Sequence, residues 1–191
     1  MAREKSAKAP STFYSTRYPS TGFGDITLAS DGENLVGLWL PGQKYFGGSL
    51  GASLQPDGTL AVFAQARSWL DRYFAGRRPA IAELPLAPQG SPFRQRVWRK
   101  LMEIPYGSTC TYGEIGRALA REDGRETFSA QAVGGAVGHN PISIIIPCHR
   151  VVGAGGNLTG YAGGIDKKVK LLQHEGAPMD GFFIPQRGTA L

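Results

Sequence analysis

The apolar positions of this chain change their period near its middle. Gly24 to Ser30 and Asn34 to Leu40 are extended runs on either side of Asp31-Gly32, and together they predict a β-hairpin. Ahead of them Met1 to Pro19, rich in Ser, Thr, Pro and charge, predicts irregular chain; behind them Pro41 to Gly58, rich in Gly, Ser and Pro, predicts loop. The spacing of Val62, Phe63, Ala66, Trp69, Leu70, Tyr73 and Phe74 predicts a helix from Thr59 to Ala75, stopped by Gly76. Arg77-Arg78-Pro79 then opens onto an extended linker, Leu84-Pro85-Leu86-Ala87-Pro88.

Beyond the linker the pattern is one of short helices. Ser91 is a cap and Pro92 a first helical residue for the stripe Phe93, Val97, Trp98, Leu101 and Ile104, broken by Pro105-Tyr106-Gly107. Thr111 and Glu114 stand at capping-box spacing and open a helix through Ile115, Ala118 and Leu119. After the charged loop Arg121 to Glu126 a third helix is predicted from Phe128 to Gly138, and two short helices parted by a turn predict a helix-turn-helix. That third helix, with Ala130, Ala132, Val133, Gly134, Gly135, Ala136, Val137 and Gly138, is almost without bulk. Glycine costs a helix stability, so small side chains there have a reason: tight packing against a neighbour, or close approach to nucleic acid. Ile142 to Ile146 reads as a buried strand or extended segment that Pro147 keeps from continuing as a central ladder.

Composition narrows the class. At 191 residues the chain makes one domain or two small ones. A net charge of +6 favours a polyanionic partner. Two cysteines give no disulfide framework. Met1 to Pro10 is polar and basic without an apolar core, and no apolar run approaches membrane-spanning length. The expectation is a soluble, cytoplasmic protein with no membrane partner.

Ile146-Pro147-Cys148-His149-Arg150-Val151-Val152 places one of those cysteines at the edge of the core. A lone cysteine in an apolar stretch is ordinarily inert. Here His149 can relay a proton, Arg150 can stabilise negative charge, and Asn140 lies upstream in the turn composition Gly138-His139-Asn140-Pro141. Cys110, between two threonines, reads as structural; His139 reads as a surface-turn histidine and His174 as one interacting with a helix C-terminus. Adjacent Cys148 and His149 lack common ligand spacing, so no metal is expected.

The cysteine run, with Phe93 to Trp98, Ile104 to Gly107, Thr111-Tyr112, Ala132-Val133-Gly134, Asn140-Pro141, Gly160 to Gly164 and Leu171 to Gly176, resembles the O6-alkylguanine-DNA alkyltransferases in order and approximate spacing. The resemblance implies an α/β + α architecture: a ribonuclease-H-like α/β domain over residues 1–88, then a winged helix-turn-helix domain over residues 89–191. It implies stoichiometric, irreversible transfer of an alkyl group from O6 of guanine, and less firmly O4 of thymine, to Cys148, without a cofactor. Glu175, His149 and a water would activate Cys148, Tyr112 would assist the leaving base, and Asn140 would hold the active-site turn. Backbone at Val151, together with Tyr161, Ala162, Gly163 and Lys168, would form the base pocket. Ala130, Gln131, Ala132, Gly134, Gly135 and Arg150 would contact double-stranded, alkylated DNA through the minor groove. The implied protein is a monomer in solution, with clustering on DNA left open.

The sequence departs from the family in two places. Gln131 stands where an arginine commonly enters the base stack, and Lys170 replaces a tryptophan common in the last helix. The first implies weaker DNA binding or slower repair; the second puts local packing in doubt. Two other classes stay open, a non-catalytic lesion binder and a cysteine hydrolase, and turnover number separates them: none, one or many.

Overall fold

The computed structural model describes residues 12–48, 50, 54–126 and 128–185. The predicted hairpin is present as β2 (Gly24–Ser30) and β3 (Leu35–Trp39), after a strand β1 (Phe13–Ser20) that the Ser/Thr-rich composition concealed. The part of the expected irregular N-terminus before residue 12 lies outside the described residues. β4 (Leu54–Pro56) falls inside the expected loop and completes a sheet in the order β3-β2-β1-β4. Because β4 pairs only with Phe13 to Ser15, Pro19 sits where β1 has no second neighbour and its missing N–H removes no ladder bond there. α1 (Ala61–Phe74) buries Val62, Phe63, Ala66, Trp69, Leu70 and Tyr73, the stripe expected from spacing, and Gly76 at φ +76° ends it.

The second half holds α2 (Pro92–Met102), α3 (Tyr112–Glu122), α4 (Ala130–Gly138) and α5 (Ile165–His174). Ser91 caps α2 with Pro92 in its first turn, and Thr111 and Glu114 close the capping box of α3. The predicted third helix begins two residues late, because Ser129 supplies the cap by accepting from the Ala132 N–H. Buried Trp98 ties α2 to α4 by donating its indole N–H to Ala136 O at 2.8 Å.

One expectation fails outright. Ile142 to Ile146 is fully buried but is a tight turn, bridged to the sheet only at Leu38–Ile142, with Ile144 in the left-handed region at φ +68°. A β-branched residue there is a backbone outlier, held because Ile146 N–H and Ile145 N–H bond back to Ile142 O and Ser143 O. The turn projects the following residues back toward α5 instead of along the sheet. β5 (Cys110–Thr111) and β6 (Val151–Val152) form a short parallel pair just beyond it. One apolar cluster runs unbroken from Ile26, Phe63 and Leu70 to Val97, Ile146, Cys148 and Leu171, so both halves share a core around the cysteine. Among the described residues no helix is long and apolar enough to cross a membrane.

Candidate active site

Cys148 opens a single 3-10 turn, Cys148–Arg150, and is 4% exposed. Asn140 braces the turn before it. Its Nδ2 donates to the carbonyls of Ile142 (3.3 Å) and Ile146 (2.8 Å) and reaches Cys148 Sγ at 3.0 Å, while Oδ1 accepts from the Ile142 N–H. An amide donor on sulfur favours the thiolate, but burial dominates and raises the Cys148 pKa.

Behind the thiol lies a buried charge cluster. Glu175 Oε1 accepts from Tyr73 OH (2.8 Å) and Arg150 Nη2 (3.0 Å) and lies 2.7 Å from His149 Nε2. Its Oε2 accepts from Arg150 Nε (2.7 Å) and the Gly107 N–H (3.2 Å). Burial raises the Glu175 pKa, but the hydrogen bonds and charges of His149 and Arg150 outweigh it and hold the carboxyl well below its ordinary value. An ionised carboxylate only accepts, so Nε2 of His149 carries the proton. Burial lowers the His149 pKa despite Glu175, which leaves a neutral ring whose Nδ1 holds the lone pair. That Nδ1 is buried and has no partner among the described residues. The resting pair is therefore thiol and neutral imidazole, and an ultraviolet titration of the folded protein is expected to find no thiolate signal from Cys148 at neutral pH. A thiolate signal at pH 7 that disappears in Cys148→Ala would contradict this.

Gly107 is fixed by this cluster. At φ +73° it brings its backbone so close that an added Cβ would stand 2.8 Å from Glu175 O.

The glycine-rich segment Gly153 to Gly164, expected as the pocket wall, passes the buried side chains of Tyr112 and Lys168. Tyr112 OH donates to Thr159 O (3.2 Å) and Gly160 O (3.4 Å), and burial raises its pKa to about 12, with the field of Cys148 adding. Lys168 is fully buried and its Nζ donates to Thr159 O at 2.7 Å; burial lowers its pKa to about 8 against the opposing field of Cys148. Tyr161 is buried, Ala162 is half-buried, and Gly163 leaves no room for a Cβ between Tyr161 and Leu40. Val151 N–H donates to Cys148 O.

On α4, Val133, Ala136 and Val137 face inward, while Ala130, Gln131, Ala132 and Gly135 are exposed and Gly134 is half-exposed. A Cβ added at Gly135 or Gly138 meets nothing within 4 Å, and one at Gly134 only touches Tyr112 at 3.9 Å. Packing inside the protein therefore does not demand these glycines.

Two models of the O6-methylguanine DNA methyltransferases match the chain, the ribonuclease-like domain over residues 13–88 and the DNA-binding domain over residues 92–177. The chain belongs to this family. It is similar to the methylated-DNA–protein-cysteine methyltransferase of Haemophilus influenzae, 39% identical over 86% of this chain and 87% of that protein. It is also similar to that of Methanosarcina acetivorans, 48% identical over 81% of this chain and 93% of that one. The crystal structure of Mycobacterium tuberculosis O6-methylguanine methyltransferase superposes with a TM-score of 0.71 at 42% identity, covering 88% of this chain and 97% of that one. A structure of the same protein in complex with DNA gives 0.70 at 41% identity, over 88% and 96% of the two chains.

Within the family frame the structure brings Cys148, His149, Glu175, Asn140, Tyr112, Tyr161 and Lys168 to one locality. Arg150 is a correction. Expected at DNA, its guanidinium is instead buried against Glu175 and Ile104 O, because a carboxylate distant in sequence claims it. Lys170 is exposed on α5, whose inner face is Lys168, Leu171 and Leu172, so packing there does not need the usual tryptophan. His139 caps α4, with Nδ1 2.7 Å from Gly135 O and its ring stacked on Tyr45, and His174 reaches across to Tyr73 O. Sequence reasoning missed Tyr73 and Gly107 as partners of Glu175. The one signal was a tyrosine in an otherwise apolar buried stripe, since a buried hydroxyl needs an acceptor.

Proposed function

We propose that this protein repairs O6-alkylated guanine in duplex DNA by moving the alkyl carbon onto Cys148, once per molecule. The observation that carries this reading is a buried cysteine followed by a buried histidine whose Nε2 lies 2.7 Å from Glu175 Oε1 while its Nδ1 meets no partner among the described residues. His149 Nδ1 takes the thiol proton through an intervening water, Glu175 stabilises the imidazolium that forms, and Asn140 Nδ2 stabilises the sulfur anion. Sulfur attacks the alkyl carbon, the carbon–O6 bond breaks, and the departing guanine anion takes a proton from Tyr112 OH; the tyrosinate regains a proton from water as the His149 imidazolium returns the thiol proton to water. The product thioether has no thiol-exchange route back.

The pocket for the extruded base is Tyr161, Ala162, Gly163, Lys168 and the backbone at Val151. Lys168 orders the wall through Thr159 O, so its role is to shape the pocket. The exposed, side-chain-poor face of α4, with glycines that internal packing does not require, suits insertion into a minor groove only about 6 Å wide. Residues 1–88 then act as scaffold and residues 89–191 as the DNA-binding and transfer part, on a protein that is monomeric off DNA. O4-alkylthymine is the secondary substrate.

The deciding experiment is intact mass and peptide mapping after incubation with excess duplex carrying O6-methylguanine. One methyl group on Cys148, saturating at one per protein, is expected. Specific binding without added mass would replace transfer with lesion recognition, and repeated release of product would replace it with hydrolysis.

Two smaller effects follow. Tyr112→Phe is expected to slow transfer by about 10²-fold while leaving DNA affinity within about twofold; unchanged single-turnover rates would remove Tyr112 from the reaction. Gln131→Arg is expected to tighten duplex binding by about threefold to tenfold and to steepen its salt dependence, because a cation near the phosphates releases a counterion. Binding isotherms at several salt concentrations with no change in slope would refute this.

A further inference from the structure

The pocket wall is held from outside as well as inside. Leu158 N–H donates to Phe183 O at 2.8 Å and Phe183 N–H donates to Gly156 O at 3.1 Å, so the C-terminal tail pairs with the wall as a one-residue parallel bridge at Asn157–Phe183. The tail sits flush. A Cβ added at Gly156, at φ +86°, would stand 2.3 Å from Gly181 O and 3.1 Å from Phe182 Cδ1. Phe182 and Met179 pack on a separate apolar cluster of Val152, Leu158, Leu172 and Ala177, which roots the tail on β6 and α5. On the inner side of the same segment Lys168 and Tyr112 hold Thr159 O.

The wall needs such restraint. Gly155, Gly156 and Gly160 all have positive φ, and glycine gives the unrestrained segment many conformations to lose. We propose that residues 179–183 form a clasp that sets the width of the alkyl pocket, making Phe182 and the backbone of Phe183 positioning elements for transfer. The proposal rests on the repair reading above. With the clasp open, the wall at Leu158 and Thr159 moves outward. A methyl carbon is then held loosely, while a bulky alkyl group gains room. Binding through α4 does not involve this segment.

Phe182→Ala and, separately, Phe183→Pro, which deletes the N–H that Gly156 accepts, test this with the full chain. Single-turnover rates are measured on O6-methylguanine and O6-benzylguanine in one duplex sequence, with duplex affinity alongside. The methyl rate is expected to fall about tenfold, as expected for misplacing a reacting atom by a fraction of an ångström. The benzyl rate should fall less, so that the benzyl-to-methyl ratio rises at least about threefold, with affinity unchanged; Phe182→Leu should restore the parental ratio. An unchanged methyl rate, or equal losses on both lesions, would overturn the clasp. Failure of the parent protein to transfer either group would overturn the repair reading, and the clasp with it.

Discussion

Cys148→Ala is expected to abolish alkyl transfer completely while duplex affinity stays within about twofold, the range of a substitution away from a binding surface. Cys148 is 4% exposed, whereas the DNA face proposed on α4 is built from other residues. Removing Sγ takes one acceptor from Asn140 Nδ2, but the carbonyls of Ile142 and Ile146 still accept, so the turn keeps its brace. Stability should fall by about 1 kcal/mol, the ordinary cost of a small deletion in a core. The measurement is a gel or anisotropy titration paired with intact mass. Methyl accumulation on the variant, at Cys110 or elsewhere, would show that Cys148 is not the acceptor.

Glu175→Gln should be damaging twice over. Tyr73, His149, Arg150 and the Gly107 N–H all present donors to the carboxylate. An amide keeps one accepting oxygen and turns the other into a donor, and it leaves the Arg150 guanidinium, 7% exposed, without a counter-charge. Breaking one side of a buried ion pair costs about 3–5 kcal/mol, a drop in Tm of roughly 10 °C for a chain of this size. Transfer should slow by about 10²–10³-fold, since the imidazolium loses its stabilising anion and the histidine its fixed tautomer. The pH dependence of stability carries the same signature. Because the Glu175 pKa is lower folded than unfolded, its contribution is full above the unfolded value of about 4.3 and is lost as pH falls toward the depressed folded value. Acid unfolding of Glu175→Gln should be shallower over that interval. Parental Tm and rate in the variant would remove Glu175 from the proton chain.

Sequence reading found the parts of the site that are near one another in the chain and lost those that are not. Asn140, Cys148 and His149 lie within a short span, and local chemistry alone flagged them. Glu175 came only through the family resemblance, and Tyr73 through neither, because its contact with Glu175 joins α1 to the end of α5. Arg150 was misread for the same reason: a cation beside a reactive thiol reads as exposed until its distant carboxylate is known. In the fold, β1 hid behind serines, threonines and a proline, although its Tyr and Thr residues suit a strand and Pro19 lies where only one neighbour pairs. The run Ile142 to Ile146 shows the opposite failure. A segment buried on every side has no period to read, and nothing in four isoleucines and a serine announces a left-handed Ile144.

The bond from Tyr73 to Glu175 also bears on how such a chain can change over evolutionary time. Because the hydroxyl comes from the first half and the histidine from the second, the hydrogen-bonding of the carboxylate behind the cysteine is a property of the joined protein. A transplanted second half would keep its cysteine and its DNA-facing helix yet carry a carboxylate short of one donor and exposed to water on that side. Exchange of halves between relatives must therefore keep this phenol as well as the shared core, and a graft that brings phenylalanine to that position should fold and bind but react slowly.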